Sequence, residues 1–73
     1  MVRFAPDLLN WHKEGKGVYV RNDGEAKVEK HGDRWTPYFR IEDRSWVAFM
    51  MHNEPIEYLS LHAAQDHVRR EGW

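Results

Sequence analysis

Between Gly17 and Met51, apolar and polar residues alternate with a period of two; after Ser60 the period becomes that of a helix. Alternation of this kind describes strands with one face turned inward. Gly17–Arg21 (GVYVR) predicts a first strand, Ala26–Lys30 (AKVEK) a second, Arg34–Ile41 (RWTPYFRI) a third and Ser45–Met51 (SWVAFMM) a fourth. The breaks between them, Asn22-Asp23-Gly24, His31-Gly32-Asp33 and Glu42-Asp43-Arg44, are short and rich in residues that tolerate tight turns. Three tight turns in succession imply a meander, with sequence neighbours also neighbours in space. Pro37 lacks an N–H, so the third strand is expected to be unpaired or bulged there.

The ends of the chain carry different signals. Ser60 is placed to cap a helix whose packing stripe is Leu61, Ala64 and Val68, with Gln65, Asp66 and Arg69 on the opposite side. Arg69 and Arg70 suit a helix C-terminus, Gly72 is a terminator, and Trp73 is placed to fold back on the core. At the other end, Pro6 and Asp7 suit a helix start and Gly15 a helix stop, with Leu8, Leu9 and Trp11 between. That segment reads as a short helix or an irregular arm. The fold class is therefore α+β: a four-stranded antiparallel meander packed on a C-terminal helix, with a short N-terminal helix in one version.

Alternation sorts the strand residues into two faces. The face assigned to the core is Val18, Val20, Ala26, Val28, Trp35, Phe39, Ile41, Val47, Phe49 and Met51. The second face holds Tyr19, Arg21, Lys27, Glu29, Thr36, Tyr38, Arg40, Glu42, Trp46, Ala48 and Met50. Its rings and cations make it the one feature with functional content, since aromatic side chains and Arg are common at protein interfaces and also stack on bases. The structural alternative is that Phe4, Leu8, Leu9 and Trp11 pack on Trp46, Tyr19 and Met50, so that the sheet is covered on both sides.

Composition narrows these options. The 73 residues suit one domain and include four Trp, three Tyr and three Phe, large rings that help a small core. There is no Cys, which removes disulfides and thiolate metal sites and fits a reducing cytoplasm. The net charge of −1 argues against a generally basic nucleic-acid binder and leaves room for a locally basic face. No stretch is long and apolar enough for a membrane span.

The order of strand, Arg34-Trp35 strand, Trp46 strand and then Ser60-Leu61-His62-Ala63-Ala64-Gln65 opening a helix resembles two DNA-binding folds. These are the arm-type domain of tyrosine recombinases and the plant ethylene-response-type domain. The resemblance spans about residues 17–70 and implies a three-stranded sheet with Lys27, Tyr38, Arg40 and Trp46 facing a DNA groove. The chain departs from the pattern in three places: no Gly precedes the cap, the Phe49-to-Ser60 connection is longer, and Glu29 and Glu42 enter the sheet.

Catalytic and metal chemistry find little support. His62 and His67 are five apart on a helix and diverge, while His12, His31 and His52 lie in separate segments. Ser60 is accounted for as a cap, Gly15-Lys16-Gly17 lacks the rest of a phosphate loop, and a chain this small leaves little room for a substrate pocket. The reading is a cytoplasmic, non-enzymatic interaction module without cofactor, metal, membrane or small-molecule substrate. It binds a protein partner or its own copy through Lys27, Tyr38, Arg40 and Trp46; a small, phage-derived DNA-binding protein using the same face is the alternative.

Overall fold

The computed structural model describes residues 10–73. Its main sheet is an antiparallel meander of five strands in sequence order: β1 (Trp11–Gly15), β2 (Val18–Arg21), β3 (Ala26–His31), β4 (Arg34–Arg40) and β5 (Trp46–Ala48). A two-stranded hairpin follows, β6 (Met50–Met51) with β7 (Glu54–Pro55), and then helix α1 (Leu61–Arg70), which packs on β3 and β4. This is an α+β fold. No helix among the described residues is long and apolar enough to cross a membrane.

The expected helix at residues 6–15 gives way, over Trp11–Gly15, to an extra strand that pairs with β2. The remainder of that expectation, with Phe4, Leu8 and Leu9, lies outside the described residues. A strand forms here because Gly17, at φ +70°, reverses the chain, and Val18 returns beside Gly15. Trp11 then stands opposite Arg21 on the helix side of the sheet and is buried in the core, away from Trp46.

Register decides the two faces. Val28 lies opposite Pro37, Ala26 opposite Phe39 and Phe39 opposite Val47, and all of these turn toward α1. The β2–β3 turn sets Tyr19 opposite Val28, so Tyr19 and Arg21 join the helix side while Val18 and Val20 turn to the other face. Alternation within β2 alone suggested the reverse; the pairing partner overrides it. Tyr19 instead packs its ring 6.0 Å from Trp35.

The expected fourth strand also divides. β5 ends at Ala48, Phe49 turns into the core, and Met50 and Met51 are exposed on the hairpin, against the expectation that Met51 is core. His52 and Asn53, with φ of +53° and +66°, make the two-residue turn that closes the hairpin. Ile41 and Glu42 lie beyond β4 and are exposed.

Pro37 fits without a bulge. Trp35 exchanges both backbone hydrogen bonds with Tyr58, at 2.7 and 2.8 Å, and the Pro37 carbonyl accepts from Phe49 N–H at 3.0 Å. The backbone groups of 35, 37 and 39 therefore face the outer edge of β4, and the missing N–H falls where the chain passes from β5 to Tyr58.

Helix α1 is closed at both ends. Ser60 Oγ accepts from Ala63 N–H at 3.1 Å. Trp73 N–H reaches Val68 O at 3.2 Å and Gly72 N–H reaches Arg69 O at 3.1 Å, with Gly72 at φ +84°. That turn lays Trp73 over Phe39, ring centres 4.7 Å apart. Ala64 and Val68 are fully buried, and Gln65 is buried beside them although the sequence pattern put it on the outer side. A ten-residue helix lying flat on a sheet buries more than the three-position stripe.

Candidate functional site

The four residues singled out from sequence lie together on the sheet face opposite α1. Lys27 on β3 is directly across from Tyr38 on β4, and Arg40 on β4 is directly across from Trp46 on β5. Side chains of such cross-strand pairs are within contact range. Lys27 Nζ lies 4.8 Å from the Trp46 ring centre and 5.0 Å from that of Tyr38. The Arg40 guanidinium carbon lies 4.2 Å from the Trp46 ring centre. The indole is thus held by two cations, an arrangement that attracts through the negative face of the ring.

Two further residues complete the cluster. Glu29 forms an ion pair with Lys27. His31 Nε2 is 2.9 Å from the Tyr38 hydroxyl and 3.6 Å from Glu29. Sequence reasoning noted Glu29 as an intruding acid and placed His31 in a turn. The signal for both was the i, i+2 spacing of 27, 29 and 31, which puts three polar side chains on one face once β3 extends to His31. Burial, and then the charge of Glu29, hold the Tyr38 hydroxyl above its ordinary pKa, so it stays protonated and is no nucleophile at neutral pH.

The two cations differ in their surroundings. The Lys27 side chain is 15 % exposed and its charge is met by Glu29. Arg40 has no carboxylate within ion-pair distance among the described residues, and its buried Nε has no hydrogen-bond partner. Beside it, β5 is the outer strand of the sheet among the described residues. Ser45 O accepts from Ile41 N–H, Phe49 N–H donates to Pro37 O, and Val47 pairs with Phe39, so the inward-bonding residues are 45, 47 and 49. The backbone groups of Trp46 and Ala48 therefore point outward, away from β4.

On the helix side a cavity of about 330 Å³ opens between β1 and α1, with Trp11, Arg21, Asp66, Val68 and Trp73 among its walls. That volume reaches the lower range of small-molecule sites, which the length of the chain did not suggest. Its charges are internally matched: Arg21 with Asp23 at 2.9 Å, and Asp66 with Arg69 and with Arg70. The guanidinium of Arg69 accordingly holds the Asp66 carboxyl below its usual range. None of the four sequence-derived residues borders this cavity. Among the described residues, no three His, Asp or Glu side chains are placed to hold a metal ion.

In comparisons with protein-family models, curated proteins and solved structures, nothing matches this chain.

Proposed function

We propose that this domain is a non-enzymatic, cytoplasmic interaction module that pairs with a second copy of itself through the Trp46 face and the β5 edge beside it. The observation that carries the reading is at β5: outward-pointing backbone groups on Trp46 and Ala48, next to an indole fixed by Lys27 and Arg40. Antiparallel pairing of two β5 strands gives those backbone groups partners and brings the two Trp46 rings, each with its flanking cations, side by side. A net charge of −1 puts little repulsion between copies. Duplex DNA is less well served by this face. Affinity for DNA grows with the number of phosphates neutralised, and Lys27 is already matched by Glu29.

Sedimentation of the full chain across a concentration series tests the reading. The wild type is expected to form a dimer, and both Trp46→Ala and Ala48→Pro to be monomeric with unchanged far-UV circular dichroism. Ala48→Pro removes an outward N–H and leaves the β4 ladder intact. A wild type that stays monomeric at about millimolar concentration overturns the proposal. A shift of random duplex DNA at micromolar protein, lost steeply with salt, would move the assignment to nucleic acid.

A further inference from the structure

Helix α1 carries one imidazole on its buried face. His67 is 7 % exposed, and its ring lies edge-on to Phe49 at 5.1 Å. Its Nδ1 is 2.8 Å from the Tyr58 hydroxyl. Its Nε2 is shielded from water, makes no hydrogen bond, and points toward Glu71 Oε1 at 3.5 Å. Each neighbour belongs to a different part of the fold. Tyr58 holds residues 56–58 to β4 by its two backbone bonds to Trp35, and Phe49 O accepts from Ile56 N–H at 2.9 Å to close the base of the β6–β7 hairpin. One ring thus joins the helix, the 56–58 segment and the hairpin base.

Burial favours the neutral form of the ring, and the charged groups around it act in both directions: Arg70 with burial, Glu71 and Asp66 against it. Glu71 faces Nε2, and the tautomer with a proton on Nε2 suits that carboxylate, leaving Nδ1 to accept from the Tyr58 hydroxyl. Arg70 approaches the same hydroxyl, its terminal nitrogen 3.5 Å from the Tyr58 oxygen, while Asp66 is engaged by Arg69 and Arg70. From β3, Lys30 lies over the Trp35 ring at 5.7 Å, and Phe49 brings no charge. Protonating Nδ1 reverses its bond to Tyr58. The phenol oxygen must then accept from imidazolium and from Arg70 together, two cations on one oxygen in a water-poor site.

We propose that His67 is an acid-sensitive clasp, whose protonation releases residues 56–58 and the β6–β7 hairpin from α1 while β1 to β4 stay paired. Burial, the largest cause, lowers the affinity of His67 for its proton; Glu71 opposes this, Arg70 adds to it, and Asp66 opposes it more weakly. The folded-state pKa therefore lies below the ordinary 6.5. The clasp is at full strength above pH 6.5 and weakens as pH falls through that value toward the folded-state pKa.

The test is an NMR titration of the full chain from pH 7.5 to 5, with amide exchange expressed as protection factors. His67 is expected to titrate below 6.5. As it does, the Ile56 and Tyr58 amides should lose protection, by about tenfold per unit of pKa depression at full protonation. The Lys30 amide, bonded to Gly17 O at 2.7 Å, should keep its protection. His67→Gln should make the Tyr58 amide independent of pH. If His67→Gln fails to fold, the wild-type titration decides alone, with the Lys30 amide as its internal control. A Tyr58 amide whose protection is flat while wild-type His67 titrates, or a His67 that titrates above 6.5, overturns the proposal.

Discussion

Gly17 shows how a single residue fixes an element. Its φ of +70° lies in the left-handed region, and a Cβ built there would sit 3.1 Å from the Lys30 Cβ, while its carbonyl accepts from Lys30 N–H. Gly24 has a similar φ of +77° and open space around it. Gly24 lies in a turn visible in the sequence, whereas Gly17 read there as the start of a strand, and the two should respond differently to Ala. Gly24→Ala pays only the backbone term, about 1 kcal/mol, whereas Gly17→Ala adds the contact and should cost about 2 kcal/mol. Urea denaturation of the two variants measures the difference; equal losses would mean that the Lys30 stem moves aside freely. Asp23 and Asp43 were legible in the same local sense. Each carboxylate accepts from the backbone N–H two residues on, at 2.9 Å, as turn-forming Asp does.

At the scale of elements, what the sequence disclosed depended on how much of each strand's environment lies within the strand. β3 and β4 have six and seven residues, and their alternation gave the correct faces for Lys27, Tyr38, Val28 and Phe39. β2 has four, and its phase is set by β3 through a turn, so Tyr19 and Val20 were exchanged. That the four candidate residues share one face was legible because three of them sit on β3 and β4, and Trp46 takes its position from Arg40. β1 was not, since WHKEG has no alternation to mark it. It is held by β2, by Trp11 in the core and by a side-chain bridge from His12. His12 Nδ1 is 2.7 Å from Asn22 Oδ1 and its Nε2 is 2.9 Å from Glu14 Oε1, so both ring nitrogens face oxygen acceptors. The bond to Asn22, then that to Glu14, raise the pKa of His12 above the ordinary 6.5. Its contribution is full below pH 6.5 and lost as pH rises through the folded-state value, opposite in sign to His67. The amides of β1 should therefore exchange faster, as protection factors, above that value. His12→Gln should abolish the pH response, and an unchanged profile in that variant would remove His12 as its source.

For the molecule as a whole, the question is whether sheet and helix can lose structure separately. The buried apolar cluster takes Trp11 from β1, Ala26 and Val28 from β3, Phe49 from the start of the hairpin, and Ala64 and Val68 from α1. No element contributes enough to be stable alone, and isolated ten-residue helices are marginal in water. Val68 is fully buried. Removing its two methyls forfeits about 2 kcal/mol, at about 0.8 kcal/mol per buried carbon plus the cavity left behind. In a domain this small, with a few kcal/mol in total, that is a large share and should lower Tm by about 10 °C. Val68→Ala should also leave one transition: far-UV circular dichroism, which follows the helix, and tryptophan fluorescence, which reports on Trp11, Trp35 and Trp46 in the sheet and on Trp73 stacked on Phe39, should give coincident curves at neutral pH. If the helix signal melts first in the variant, the two layers are coupled only loosely. The acid clasp at His67 would then be one case of a general separability and not a local device. Coincident curves at pH 7, together with selective loss of protection at Tyr58 on acidification, would place the release in the 56–58 segment and hairpin alone.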